Sequence, residues 1–279
     1  MKLIKNLSSG QREITTNWLG KRLTLFRKLN LRQRTYTRYI ILGHPRTGSN
    51  LLRGMLNENR HVVAFGELFR FNDSIGWDYP GHDHKVKIEL QLINDNPIRF
   101  LKKMVFKSFP PHIRAVGFKI FYFHAHNENW EPVWTYLRKQ KDIKILHIKR
   151  ENVLKTYLSH TRALNTNNWI DTSNKPHDEP PITLEYDKCL RYFEQIRRYE
   201  EEYDDFFKGH DKLELIYEKL AASYKSELKR VTDFLGVPAE DTEPVTFQQA
   251  RSPLFESIAN YRELKEKFQA TTWAKYFED

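Results

Sequence analysis

The chain reads as an α/β protein built on a central parallel sheet with helices on both faces, and three observations predict it. Short, apolar, β-rich runs near residues 38–43, 61–71, 114–125, 142–150 and the start of 212–220 alternate with segments of helical periodicity. Several of these runs are apolar almost throughout, as strands covered on both sides are. The 279 residues are 39% hydrophobic and 14% aromatic, enough for one large α/β domain or two small ones and too apolar for a disordered chain.

In order along the chain, residues 1–37 are basic and mildly amphipathic and lack the continuous apolar core of a signal peptide. They read as a helical extension on the surface of a domain that begins at residue 38, with membrane-surface or partner docking as the alternative. "RYIILG" (38–43) is the first strand, and "SNLLRGMLNEN" (49–59) is a helix with Ser49 as its expected N-cap. "HVVAFGELFRF" (61–71) opens as the second strand. Residues 72–97, with Gly76, Pro80, Gly81 and Pro97, read as irregular. "RAVGFKIFYFHA" (114–125) and "DIKILHIKR" (142–150) are the third and fourth strands, and "NVLKTYLSHTRAL" (152–164) is a helix that starts at once. Residues 165–181 are polar and proline-containing, a surface loop. Residues 184–207 have long helical periodicity, "KLELIYEKL" (212–220) is a strand turning into a helix, and "SELKRVTDFLGV" (226–237) is a helix ending at Gly236.

Charge and cysteine content narrow the function. A net charge of +10 suggests an anionic ligand, and nucleic acid, an acidic membrane face and a small polyphosphate all fit it. The basic residues are spread along the chain without a nucleic-acid-binding motif, so nucleic acid is not expected as a partner. Cys189 is the only cysteine, so an intrachain disulfide is impossible, which fits a cytoplasmic location. No run of about 18 apolar residues is present, so no transmembrane segment is expected.

The chemistry centres on "YIILGHPRTGSNLLRGML" (39–56), where an apolar strand breaks into a turn and resumes as a helix. Such a turn aims several backbone N–H groups at one spot, and the helix dipole adds positive charge there. Gly43 and Gly48 have the G-x-x-x-x-G spacing of a phosphate-binding loop, but Ser49 stands where a nucleotide-binding loop has lysine. Arg46 is the one cation in the turn, and a guanidinium makes fork-like hydrogen bonds to oxyanions. A plain strand–helix turn is the alternative for this segment taken alone.

Four segments in order resemble the sulfotransferases that use 3′-phosphoadenosine 5′-phosphosulfate (PAPS). "PRTGSNLL" resembles their 5′-phosphosulfate loop, and "ILHIKRENVLKTYLSH" their second signature. "LELIYEKL" with "VTDFLGVP" resembles a third segment, and "ARSPLFESIANYRELKEKF" the C-terminal stretch that folds back over the cofactor. The segment "FGEL", the third strand "GFKIFYF" and the spacing of nine between Arg150 and Ser159 are most similar to the bacterial carbohydrate sulfotransferases of the trehalose and nodulation-factor type. The resemblance implies a single P-loop-like three-layer α/β/α domain over residues 38–279. It implies PAPS as co-substrate, adenosine 3′,5′-bisphosphate (PAP) as product, no metal, and a small-molecule or carbohydrate acceptor sulfated at oxygen or nitrogen.

The same resemblance assigns roles to individual residues. Arg46, Thr47, Gly48, Ser49 and Asn50 hold the phosphosulfate; Arg150 and Ser159 hold the 3′-phosphate; Tyr217 lies near the adenine; Arg251 is a late phosphate contact. Glu67, at the end of the second strand, is the expected base, with His124 as the runner-up. Lys119, within the third strand, either neutralises sulfate charge or snorkels from the core. A nucleotide kinase is the competing enzyme reading, but it requires the missing lysine and a strand-end carboxylate for magnesium, where this chain has "HIKR". "HDH" (82–84) and "HAH" (124–126) are poor metal motifs, and "YEEEYDD" (199–205) reads as a solvated helix face. Residues 72–113 and 165–182 are expected to wall the acceptor pocket; Phe71, Trp77, Tyr79 and Trp169 either stack on the acceptor there or belong to the core. The sequence leaves the oligomeric state open, a homodimer included.

Overall fold

The structure is a computed structural model, and it describes residues 35–169, 180–243 and 252–278. Strands β1 (Thr37–Gly43), β2 (Val62–Glu67), β3 (Ala115–Phe121), β4 (Ile143–Lys149) and β5 (Lys212–Ile216) form one all-parallel sheet in the order β2-β3-β1-β4-β5. Side chains alternate across it, as strand geometry requires. Ile40, Leu42, Phe65, Phe118 and Ile120 point into one buried core. Tyr39, Ile41, Ala64, Leu146 and Ile148 point into the other.

Helices close both faces. On the first lie α2 (Lys87–Asp95), α3 (Pro97–Phe100), α4 (Pro132–Lys139) and the end of α6 (Tyr186–Phe206). On the second lie α1 (Ser49–Glu58), α7 (Tyr217–Ala222) and α8 (Tyr224–Leu235). This is the expected three-layer α/β/α architecture. A third apolar cluster joins α5 (Val153–Thr166) and α6 to α9 (Leu254–Ser257), α10 (Tyr261–Phe268) and the turn Ala274–Phe277. The C-terminal stretch is thereby packed beside the end of β4, where Asn152 donates to the Tyr276 carbonyl at 3.0 Å.

Three expectations are corrected. Residues 72–97 are not wholly irregular, because α2 occupies their last third with Ile93 buried. The N-cap of α1 is Gly48 rather than Ser49: the chain enters the helix in a left-handed turn (Gly48 φ 84°), and Ser49 is the first helical residue. The acidic run on α6 is solvated only in part: Glu201, Glu202 and Asp205 are exposed, but Glu200 and Asp204 are turned toward the protein. Asp204 accepts hydrogen bonds from His147 (3.1 Å), Lys149 (2.6 Å) and Lys212, and Glu200 is buried against Arg197. Burial alone would raise the Asp204 carboxyl, but those three donors hold it well below the usual carboxylate range. His147 passes the network on to the Tyr122 hydroxyl at 2.6 Å, tying α6 to β4 and β3. The expected N-terminal helix over residues 1–37 falls almost entirely outside the described residues. Among the described residues no helix is long and apolar enough to cross a membrane.

Because all five strands run the same way, their carboxyl ends share one edge, where ligands bind in sheets of this kind. That edge gathers the turn after β1, Glu67 of β2, the turn after β3, Arg150 after β4 and Tyr217 after β5.

Candidate active site

The turn between β1 and α1 is shaped by two left-handed residues, Arg46 (φ 67°) and Gly48 (φ 84°). At Gly48 the reason is plain: a β-carbon there would overlap the Tyr217 ring, which lies directly against the backbone. No side chain caps α1, so its first-turn N–H groups remain aimed at the turn. Thr47 is turned inward, its hydroxyl donating to the His44 carbonyl at 2.7 Å.

Arg46 and Arg150 are neighbours. One Arg150 amino group donates to the Arg46 carbonyl at 3.2 Å, and the Arg150 guanidinium sits 4.6 Å from the Tyr217 ring centre. Arg46 Nε donates to Ser159 Oγ at 2.9 Å, and its NH1 to the Trp169 carbonyl. The sequence-predicted Arg46, Gly48, Arg150, Ser159 and Tyr217 therefore form one continuous cluster at the ends of β1, β4 and β5. Arg150 is buried, and burial lowers its affinity for a proton; its Nε has no hydrogen-bond partner and stands 3.7 Å from Glu218. A buried guanidinium N–H without an acceptor is costly, and an anion would satisfy it. Arg251 lies outside the described residues.

Beside this cluster is a cavity of about 810 Å³, lined among others by Arg46, Ser49, Asn50, Glu67, His124 and His160. Glu67 enters it through a distortion of β2. The register slips between Phe65 and Glu67, so that Glu67 lies opposite Lys119 and shares its side of the sheet. Gly66 makes the slip feasible, since any side chain there would strike Asp78 and the Gly76 carbonyl. Glu67 Oε1 accepts from Lys119 Nζ at 2.9 Å, while Oε2 lies 3.8 Å from His124 and 3.7 Å from Arg70. Burial pushes the Glu67 carboxyl up, but the Lys119 ammonium outweighs it and holds the group ionised, below its ordinary value. Lys119 is sealed behind Glu67 and Asn50, bonded to both, and burial lowers its own pKa.

The two expected bases, Glu67 and His124, lie side by side at the cavity. His124 Nδ1 accepts the Phe121 N–H at 3.2 Å, which places the ring proton on Nε2, facing Glu67. Burial pushes this imidazole down to about 4. In this tautomer the Nε2–H faces Glu67 across 3.8 Å, beyond hydrogen-bond distance. Of the predicted acceptor aromatics, Phe71 and Trp169 line the cavity, Phe71 being 51% exposed. Trp77 and Tyr79 do not: Trp77 is wholly buried 4.9 Å from Phe65, and Tyr79 packs 5.2 Å from the same ring. Sequence reading missed Phe123, 46% exposed on the facing wall, together with Arg70 and His160. An aromatic placed just past the third strand was the one signal the sequence offered for Phe123. Among the described residues no three His, Cys, Asp or Glu side chains converge as a metal-ligand group.

A sequence model of the Sulfotransferase family matches residues 39–241. Nodulation protein H of Rhizobium tropici is 26% identical over 250 residues, 86% of this chain and 92% of that protein. Nodulation protein H of Rhizobium meliloti strain 1021 is 28% identical over 257 residues, 86% of this chain and 94% of that protein. Among solved structures, a sulfotransferase from Alicyclobacillus acidocaldarius is 14% identical with a TM-score of 0.48, covering 87% of this chain and 93% of its own. With the match extending over most of the sheet and every element that builds the site, the chain belongs to the Sulfotransferase family and is an enzyme of sulfuryl transfer.

Proposed function

We propose that the protein transfers a sulfuryl group from PAPS to a hydroxyl or amino group of a carbohydrate or other small-molecule acceptor, by in-line displacement with Glu67 as base. The observation that carries the reading is the contiguity of two arginine sites, Arg46 in the loop and Arg150 at the next strand end, joined at 3.2 Å and floored by Tyr217. A nucleotide with phosphate at two separated places needs two such sites within one molecule's reach. The unpartnered Arg150 Nε and the close backbone approach at Gly48 both suit a bound phosphate.

When bound, the donor supplies the activated sulfuryl group and leaves as PAP. This chain's residues do the rest. Arg46 and the N–H groups of Thr47 to Asn50 offset the charge that develops on the bridging oxygen, and one such donor is worth about 3 kcal/mol. Glu67 takes the acceptor's proton, held in place and kept ionised by Lys119. The exposed rings of Phe71 and Phe123 hold the acceptor at the cavity mouth.

Calorimetry tests the donor half. PAP should bind without magnesium and at least about tenfold more tightly than ATP. Arg150→Met should weaken PAP about 10- to 100-fold, the loss of a charged hydrogen-bond donor of about 1.5–3 kcal/mol. ATP binding that is tighter and magnesium-dependent would instead indicate a phosphoryl transferase. Screening acceptors with PAPS for a mass gain of one sulfuryl group tests the other half.

A further inference from the structure

His160 stands next to Ser159 on α5 and lines the same cavity as Arg46, Asn50 and Glu67. Its ring packs between Trp169 (5.9 Å between centres), Tyr192 of α6 (5.7 Å) and His44 of the loop (6.2 Å). These contacts fix the ring, yet among the described residues nothing hydrogen-bonds either of its nitrogens. The other histidines of the site differ. His124 Nδ1 accepts the Phe121 N–H at 3.2 Å, and His44 Nδ1 lies 3.1 Å from the Pro45 carbonyl. His160 is therefore a rigidly held imidazole with open hydrogen-bonding capacity, beside the arginine of the anion loop.

We propose that His160 is a further donor-binding residue, which takes up a proton from solvent when the anion is seated and donates an N–H to a sulfonate or phosphate oxygen. The proposal rests on the PAPS reading above. The groups facing the ring are Arg46 and His44 from the loop, Tyr192 from α6 and the uncharged Trp169. Burial first, and Arg46 second, depress the imidazole below its ordinary value, so it is neutral in the free protein at pH 7. An anion held by Arg46 cancels that repulsion and raises the affinity for the proton. The sign follows by linkage: the extra affinity is present at low pH and is lost as pH rises through the bound-state pKa.

The test is calorimetric titration of PAP between pH 5.5 and 8 in buffers of differing ionisation enthalpy, with wild type and His160→Gln. PAP phosphates themselves titrate near pH 6, so the readout is the difference between the two proteins. Wild type should take up more protons on binding, and its affinity should rise from pH 8 to pH 6 by about three- to tenfold more than that of the variant. Identical proton uptake and pH dependence would overturn the proposal while leaving PAPS as donor. No PAP binding by wild type at any pH would overturn the donor reading itself, and this proposal with it. A second measurement does not depend on the variant folding: in wild type the His160 ring resonances should titrate at higher pH with PAP than without, and an unmoved titration also overturns it.

Discussion

The loop end of the active-site cavity and its outer wall are built by different means. At the loop end, backbone does most of the work: two left-handed residues, uncapped N–H groups and arginines fixed at strand ends. The outer wall is made of side chains on irregular chain, Arg70 to Asn72 after β2 and Phe123 to Asn127 after β3. One end is pre-shaped for a ligand of fixed geometry. The other is a surface whose selectivity can change one side chain at a time. Between them stands Glu67, which belongs to neither, since it is held from behind by Lys119.

The sharpest division of these parts comes from Glu67→Gln. Turnover should fall at least about 100-fold, the usual contribution of a positioned base, while PAP affinity measured by calorimetry stays within about twofold of wild type. A variant that retains turnover removes Glu67 from the chemistry. Next in size is Lys119→Met, which takes the ammonium away from a buried carboxylate. The Glu67 pKa should rise, because burial then acts unopposed by its nearest cation. The base is active only when ionised, so the acid limb of the kcat/KM profile should move to higher pH. Activity at pH 6 relative to pH 8 should drop by up to about tenfold for every whole pH step the limb moves, and Lys119→Arg should restore part of it. An unchanged profile would make Lys119 a packing residue only. The smallest effect belongs to the wall: Phe123→Ala should raise acceptor KM about three- to tenfold and leave PAP binding unaltered, whereas equal effects on both ligands would dissolve the distinction between loop end and wall.

The difference between the two ends also explains what the sequence disclosed. The loop end was legible because its determinants are local: a glycine spacing, a missing lysine, an arginine where a strand meets a helix. Arg46 and Ser159 are 113 residues apart, yet each lies in a motif whose place at the strand ends follows from an alternating parallel sheet. The wall was not legible, because residue type does not say whether an aromatic faces ligand or core. Trp77 and Phe71 lie six residues apart and look alike as sequence, but one is sealed against Phe65 and the other half-exposed. Glu67 was found by its position, whereas the slip at Gly66 that turns it toward Lys119 has no sequence signature beyond the glycine. Asp204 in the acidic run on α6 misled for a similar reason: it looks as solvated as its exposed neighbours Glu201, Glu202 and Asp205 until β4 and β5 bring His147, Lys149 and Lys212 against it.

Gly48 is constrained twice, by its left-handed backbone and by the Tyr217 ring, which lies where a β-carbon would go. A smaller residue at 217 would lift only the second constraint and leave a void beneath the turn. The two positions are 169 residues apart in the chain and follow strands that are not neighbours in the sheet. A chimera that takes its first half from a distant relative must therefore keep glycine at position 48, or it carries a steric mismatch into the floor of the candidate site.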